Sequence, residues 1–296
     1  MTENVLIICG ATASGKTALS VYLAKKFNGE IISADSMQIY KGMDVGTAKV
    51  TQLEADGVAH HLIDIIEPIE NFSVAEYKDL ALKAIKEIRS KGKLPIIVGG
   101  TGLYVNALIY DYTFNDATAN DAIREKYKRI LSENGAEFLH ETLAKISPSD
   151  AMRLHPNDTF RVIRALEVAE LGKTNVDSGK IVMPYKAYAI NYPREKLYER
   201  INLRVDKMFE EGLLEEVNGL LQQGVTFDCQ SMKAIGYKEF KDYFDGVATL
   251  DDVREKIKKN SRNYAKRQLT WFRKMPNLIW YDDIEEAKRK IEEDIC

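Results

Sequence analysis

An α/β fold, a parallel sheet flanked by helices, is the class this sequence predicts, and three observations lead to it. Short runs that read as buried strands, Val5–Cys9, Glu30–Asp35 and Pro95–Val98, alternate with segments of helical periodicity. The first run feeds a glycine-bearing loop, Gly10-Ala11-Thr12-Ala13-Ser14-Gly15-Lys16-Thr17, that fits G-x-x-x-x-G-K-[ST] and opens a helix. From about Asn115 the alternation stops, and helical segments follow one another with no strand between them. The expected organisation is a P-loop NTPase-like core in two parts, 1–113 and 185–296, around an all-helical insertion at 114–184.

Composition bounds the rest. The chain has 296 residues, 45% hydrophobic and 29% charged, enough for a real core and too apolar for a disordered chain. A net charge of −3 gives no global pull toward nucleic acid or membrane, so such a partner needs a local patch. Three scattered cysteines exclude a disulfide scaffold and suit a reducing cytosol. The N-terminal apolar run is too short for a signal peptide, and no span approaches the ~20 residues of a membrane helix. A cytoplasmic location is the expectation.

Taken in order, the loop comes first. Its N–H groups turn inward at the positive end of a helix and cradle a di- or triphosphate. Lys16 neutralises phosphate oxygens, and Thr17 is the candidate ligand for Mg²⁺. The helix behind the loop carries Leu19, Leu23 and Phe27 at helical spacing. Asp35 ends the second strand, where α/β sheets bind ligands, and is a candidate general base; a solvated turn aspartate is the plain alternative. His60 and His61, adjacent and without a third ligand, read as structural. Ser73 and Glu76 form a capping box for a helix to about Lys91, with Tyr77, Leu80, Ala84 and Ile88 on its apolar face. The third strand ends in Gly99-Gly100-Thr101-Gly102, which places a hydroxyl at the sheet edge.

In the insertion, Ile123–Leu131 and Leu139–Ile146 are separated by a break at Asn134-Gly135, and Asn157-Asp158 caps Phe160–Leu171. Arg161 and Arg164 lie one turn apart, suited to phosphates or to a surface ion pair with Glu167. Gly172–Pro184 reads as a polar connection, Tyr185–Tyr192 as a returning strand, and Pro193 opens a long helix. On that helix Leu197, Ile201, Val205 and Met208 face the core, and Arg200 and Arg204 lie on another side. Arg254–Lys274 holds nine Lys/Arg and one Glu, interleaved with Tyr264, Trp271 and Phe272, a pattern that can hold a phosphodiester backbone and stack bases. A solvated helix face is its alternative.

Several stretches together resemble one family, the bacterial tRNA dimethylallyltransferases. They are GATASGKT (10–17), SADSMQIYKGMDVGTAK (33–49), HHLID (60–64), PIIVGGTGLY (95–104), HPNDTFRVIRALEV (155–168), RINLRVDKM (200–208), AIGYKE (234–239) and AKRQLTWFR (265–273). Ala11 stands where the family has proline, and the connector at 172–184 is short for it. The resemblance implies a monomer that moves a dimethylallyl group from dimethylallyl diphosphate to N6 of the adenosine 3′ of the anticodon in tRNA. It implies that the phosphate loop, Arg204 and Mg²⁺ hold the diphosphate, and that Asp35 takes the amine proton. Thr101 then bonds near the same amine, and Gln38 reads the adenine edge. Ser36 and Met37 complete that group of acceptor contacts. Further RNA contacts carried over are Arg124, the run Phe160-Arg161-Val162-Ile163-Arg164, Lys233 and Lys238. A transferase acting on free adenine nucleotides, a P-loop kinase and a nucleotide-gated RNA-binding module are the competing readings.

Overall fold

The computed structural model describes residues 5–113, 121–172 and 176–295. The chain divides into two compact units, one of 1–109 with 181–296 and one of 110–180. In chain order the first unit holds β1 (Val5–Cys9), α1 (Lys16–Lys26), β2 (Gly29–Ser33), α2 (Gln52–Ala55), β3 (His60–His61), α3 (Val74–Ser90), β4 (Leu94–Gly99) and α4 (Gly102–Ile109). The second unit follows with β5 (Tyr110–Thr113), α5 (Asp121–Ile146), α6 (Pro148–Arg153), α7 (Thr159–Glu170) and most of β6 (Val176–Ile181). The first then resumes with β7 (Tyr185–Ile190), α8 (Arg194–Glu210), α9 (Leu213–Gln222), α10 (Lys241–Phe244), α11 (Leu250–Phe272), β8 (Leu278–Tyr281) and α12 (Ile284–Ile295).

The first unit is built on a parallel six-stranded sheet of order β3-β2-β4-β1-β7-β8. Strand β1 is apolar at every position because β4 and β7 pair on its two sides and helices cover both faces. Leu19 and Leu23 of α1 are fully buried against Ile8, Ile96 and Tyr188; burying such side chains contributes roughly 1.5–3 kcal/mol each. The Ser73–Glu76 capping box forms in both directions, and Gly92 turns the chain at φ 71° after α3. The apolar face of α3 is Tyr77, Ala81, Ala84, Ile85 and Ile88; Leu80, expected on it, is exposed. His60 and His61 form edge strand β3, and His61 Nε2 lies 2.7 Å from Glu30 Oε2. Strand β8 and helices α9 and α12 were not evident in the sequence.

The second unit packs Tyr127, Leu139, Leu143, Leu154, Val162 and Leu166 into its own core. Its long helix breaks where expected, at Gly135, with φ 84° and ψ 174°. Asp158 occupies the N-cap position of α7 without a capping bond; its carboxylate instead lies 3.5 Å from Arg161. The unit is not all-helical: β5 and β6 form a two-stranded ribbon. All of β6 comes from the stretch read as a polar connection, because Val176-Asp177-Ser178-Gly179-Lys180 alternates too weakly to announce a strand. Residues 173–175 of that connection, and 114–120 at the expected start of the insertion, lie outside the described residues.

Candidate active site

Strand order explains why distant motifs meet. Strands β2, β4 and β1 are neighbours, with β4 in the middle. Asp35 follows β2, Thr101 follows β4 and the phosphate loop follows β1, all at carboxyl ends. Adjacent strands lie about 4.8 Å apart, so two spacings separate the carboxylate from the loop, with a hydroxyl between them.

The loop turns into α1 at Gly15, whose φ of 90° a side chain would strain. The first N–H groups of α1 have no intrahelical partner and face outward as anion donors. Lys16 Nζ folds back onto the carbonyls of Ala11 (2.6 Å) and Gly10 (3.2 Å). Burial, helped by the nearby Arg204 charge, pulls its pKa down to about 8, and Asp35 offsets part of that loss. Burial pushes the Cys9 thiol up to about 12, so the strand beneath the loop stays neutral. Ser14 Oγ is buried without a hydrogen-bond partner among the described residues, an orphan that an anion in the loop would satisfy. Thr17 is exposed at the first turn of the helix.

Three side chains from the C-terminal half hold this loop. Arg200 donates from Nε to the Ala13 carbonyl (2.8 Å) and lies over the Tyr192 ring at 5.1 Å. One turn on, Arg204 donates from Nη1 to the Thr12 hydroxyl (3.3 Å) and from Nη2 to the Thr47 carbonyl (3.2 Å). Burial lowers the Arg204 pKa, and Asp35 opposes that shift. Gln268 on α11 accepts from the Thr12 N–H (2.8 Å) and donates to the Gly100 carbonyl (3.0 Å). Its segment was legible as a motif, but nothing in the sequence assigned the glutamine a task.

A cavity of about 270 Å³ opens beside the loop, with Thr12, Asp35, Ser36, Met37 and Arg204 in its wall. Ile201, Val205, Met208 and Ile257 supply apolar lining, and Lys233, Lys238 and Arg267 supply positive charge. Asp35 Oδ1 accepts the Met37 N–H (2.9 Å), and Oδ2 has no partner among the described residues. Thr101 Oγ1 accepts the Ser36 N–H (3.1 Å) and lies 3.3 Å from Ser36 Oγ. Tyr264, read in the sequence as a base-stacking aromatic, lines the same cavity within hydrogen-bonding reach of Thr101 and Gln268. Burial and the Asp35 charge push its phenol up to about 12, so it remains a donor at neutral pH.

Other expected contacts fall elsewhere. Gln38 is outside the cavity wall; its amide donates toward the carbonyls of Thr47 (3.3 Å) and Ala48 (3.4 Å) and accepts from Ser33 Oγ (3.2 Å). Phe272 is fully buried and not free to stack a base, and Trp271, half-buried, packs on Gly102, where a Cβ would stand 2.2 Å from the indole. In the helical unit, Val162 is 0% exposed and belongs to the core, so its side chain makes no RNA contact. Ile163 packs against the same core. Arg124 (3.0 Å) and Arg164 (2.7 Å) both pair with the fully buried carboxylate of Glu167. Arg161 is 64% exposed and Phe160 81% exposed, which leaves these two on the surface.

A protein-family model described as IPP transferase matches residues 38–275. A tRNA dimethylallyltransferase of Geobacillus thermodenitrificans is 52% identical, the match covering 99% of this chain and 95% of that relative. One of Bacillus subtilis is 51% identical over 98% of this chain and 95% of its own length. The crystal structure of the full-length tRNA isopentenylpyrophosphate transferase from Bacillus halodurans is similar at a TM-score of 0.76, with 48% identity, 99% of this chain and 96% of that one. A eukaryotic dimethylallyltransferase acting on tRNA reaches 0.80 at 30% identity, over 99% of this chain and 78% of that one. A match of this extent and identity places the chain: it belongs to the IPP transferase family.

Proposed function

We propose that the chain transfers a dimethylallyl group from dimethylallyl diphosphate to N6 of the adenosine 3′ of the anticodon in tRNA, releasing diphosphate. One observation carries this reading: the loop residue Thr12, the cation of Arg204 and the carboxylate of Asp35 line a single cavity with an apolar section. The C1–oxygen bond of the prenyl donor breaks and the N6–C1 bond forms, with the electron pair leaving on diphosphate. Loop N–H groups, Lys16 and Arg204 stabilise the charge that grows there. The adenine amine is a weak nucleophile and loses a proton as it is alkylated; the unpartnered Oδ2 of Asp35 receives that proton. Thr101 holds the Ser36 N–H next to Asp35 in the chain, and Tyr264 lines the same cavity as the carboxylate.

The residues fit a Mg²⁺ ion held chiefly by substrate. Among the described residues no cluster of three His, Cys, Asp or Glu could cage a metal, whereas Thr17 sits exposed at the helix start. Mg²⁺ commonly takes one or two protein ligands and completes its shell with phosphate oxygens and water. When bound, the ion supplies charge neutralisation on the leaving diphosphate. For RNA, Lys238 and Arg267 line the cavity and have no carboxylate partner among the described residues. Lys233, also in the wall, already donates to the Phe227 carbonyl (2.7 Å). On the helical unit Arg161 and Phe160 remain as contacts, while Arg124 and Arg164 serve Glu167. No helix among the described residues is long and apolar enough to cross a membrane. The test is purified protein with labelled dimethylallyl diphosphate and anticodon stem-loop RNA, without ATP. Prenylated RNA and free diphosphate are expected. Labelling of free AMP instead, or phosphorylated product requiring ATP, contradicts the proposal.

A further inference from the structure

Two motifs, the loop 41–49 and the segment 234–239, converge on one carboxylate that neither motif contains. Glu216 on α9 accepts four hydrogen bonds. Its Oε2 takes the N–H groups of Asp44 (2.8 Å) and Val45 (2.7 Å). Its Oε1 takes the Gly46 N–H (3.0 Å) and the Tyr237 hydroxyl (2.6 Å). Successive N–H groups turned to one point form an anion nest, and here the chain supplies its own anion. Gly46 also lies flat on Tyr237, whose ring would stand 2.5 Å from any Cβ there. Beyond this grip, Gly46 and Thr47 form part of the cavity wall, and the Thr47 carbonyl accepts from Arg204 Nη2 at 3.2 Å.

We propose that Glu216 is a positioning residue for the transfer: by holding the 44–46 backbone it sets the Thr47 carbonyl and, through it, the direction of Arg204. The proposal rests on the reading of that end of the cavity as the diphosphate site. All four partners are donors, and an ionised carboxylate is acceptor-only, so it alone answers them fully. Glutamine of the same shape brings two more donors to a point where four already meet. The loop then relaxes, the Thr47 carbonyl shifts, and Arg204 loses one of its two anchors. The effect therefore falls on the diphosphate and spares the RNA.

A double-mutant cycle read by calorimetry with inorganic diphosphate and Mg²⁺ tests this on the full chain. Glu216→Gln is expected to weaken diphosphate about tenfold in the wild-type background and less than twofold in an Arg204→Lys background. The KM for anticodon stem-loop RNA should change less than twofold. Tyr237→Phe, which removes one of the four donors and leaves the carboxylate in place, should give the same pattern at two- to fivefold, and it serves if the glutamine variant does not fold. Equal losses in both backgrounds, or a lowered melting temperature with unchanged diphosphate affinity, would overturn the assignment of Glu216. Wild-type protein that fails to bind diphosphate, or Arg204→Lys that binds it equally well, would instead overturn the diphosphate reading.

Discussion

Gly100 has no side chain because Gln268 occupies its place: a Cβ on Gly100 would stand 2.1 Å from Gln268 Nε2. That amide cannot simply swing away, since it bridges the Gly100 carbonyl and the Thr12 N–H. One side chain of α11 thus ties the end of β4 to the phosphate loop after β1, fixing the hydroxyl of Thr101 relative to the anion site.

Gly100→Ala should therefore act through the loop. Displacing Gln268 leaves the Thr12 N–H and the Gly100 carbonyl without partners, each worth about 1–3 kcal/mol when buried. A loss of about tenfold in kcat/KM for dimethylallyl diphosphate is expected. Gln268→Leu should cost a similar amount, and the pair should not add. Additive losses in steady-state kinetics would show that the two residues act separately.

Lys16 gives a pH signature. Its folded pKa of about 8 lies below the ordinary 10.5, so the native state binds this proton more weakly than the unfolded chain. The resulting penalty is fully present below about pH 8 and fades as pH rises toward 10.5. Lys16→Met should raise stability at pH 7 by about 1–3 kcal/mol, at ~1.4 kcal/mol per pKa unit, with the gain shrinking above pH 8. The same variant should lose diphosphate binding. In wild type, diphosphate affinity should begin to fall above about pH 8, measured by calorimetry across pH 6.5–9.5.

Arg161 and Arg164, one turn apart on α7, should separate cleanly. Arg161 is exposed and, among the described residues, held only at 3.5 Å by Asp158, so Arg161→Gln should lower the salt slope of RNA binding by about 1. Arg164 shares the buried Glu167 with Arg124, so Arg164→Gln should chiefly destabilise the helical unit, by roughly 1–3 kcal/mol for a group still half-paired. Denaturant melts and salt-dependent filter binding on both variants check the split. An unchanged slope for Arg161→Gln would make it a surface ion pair only.

Much of the core was legible because its signals are local. Val5–Cys9, the phosphate loop, the Ser73–Glu76 capping box and the apolar face of α8 each follow from residues close in sequence, and the structure repeats them. Asp35 and Thr101 could be placed at strand ends by the same reasoning. What stayed hidden is long-range. Gln268 acts on Thr12 across 256 positions, and Glu216 acts on Gly46 across 170. Tyr264 and Trp271 share a helix and an aromatic character, yet one meets the cavity and the other meets Gly102. Helix phase against the sheet decides that, and it leaves no mark in composition. The β6 strand was missed because its residues alternate too weakly between apolar and polar to signal a strand.

In the proposed function one carboxylate, Asp35, takes the amine proton in a cavity shared with the anion loop. Single-turnover transfer by Asp35→Asn, compared with wild type alongside separate affinities for diphosphate and for anticodon stem-loop RNA, tests it most directly. A fall of roughly 10²–10⁴ in the chemical rate is expected, with both affinities within about threefold of wild type. A variant that turns over normally once saturated, or one whose whole defect lies in binding, would contradict it.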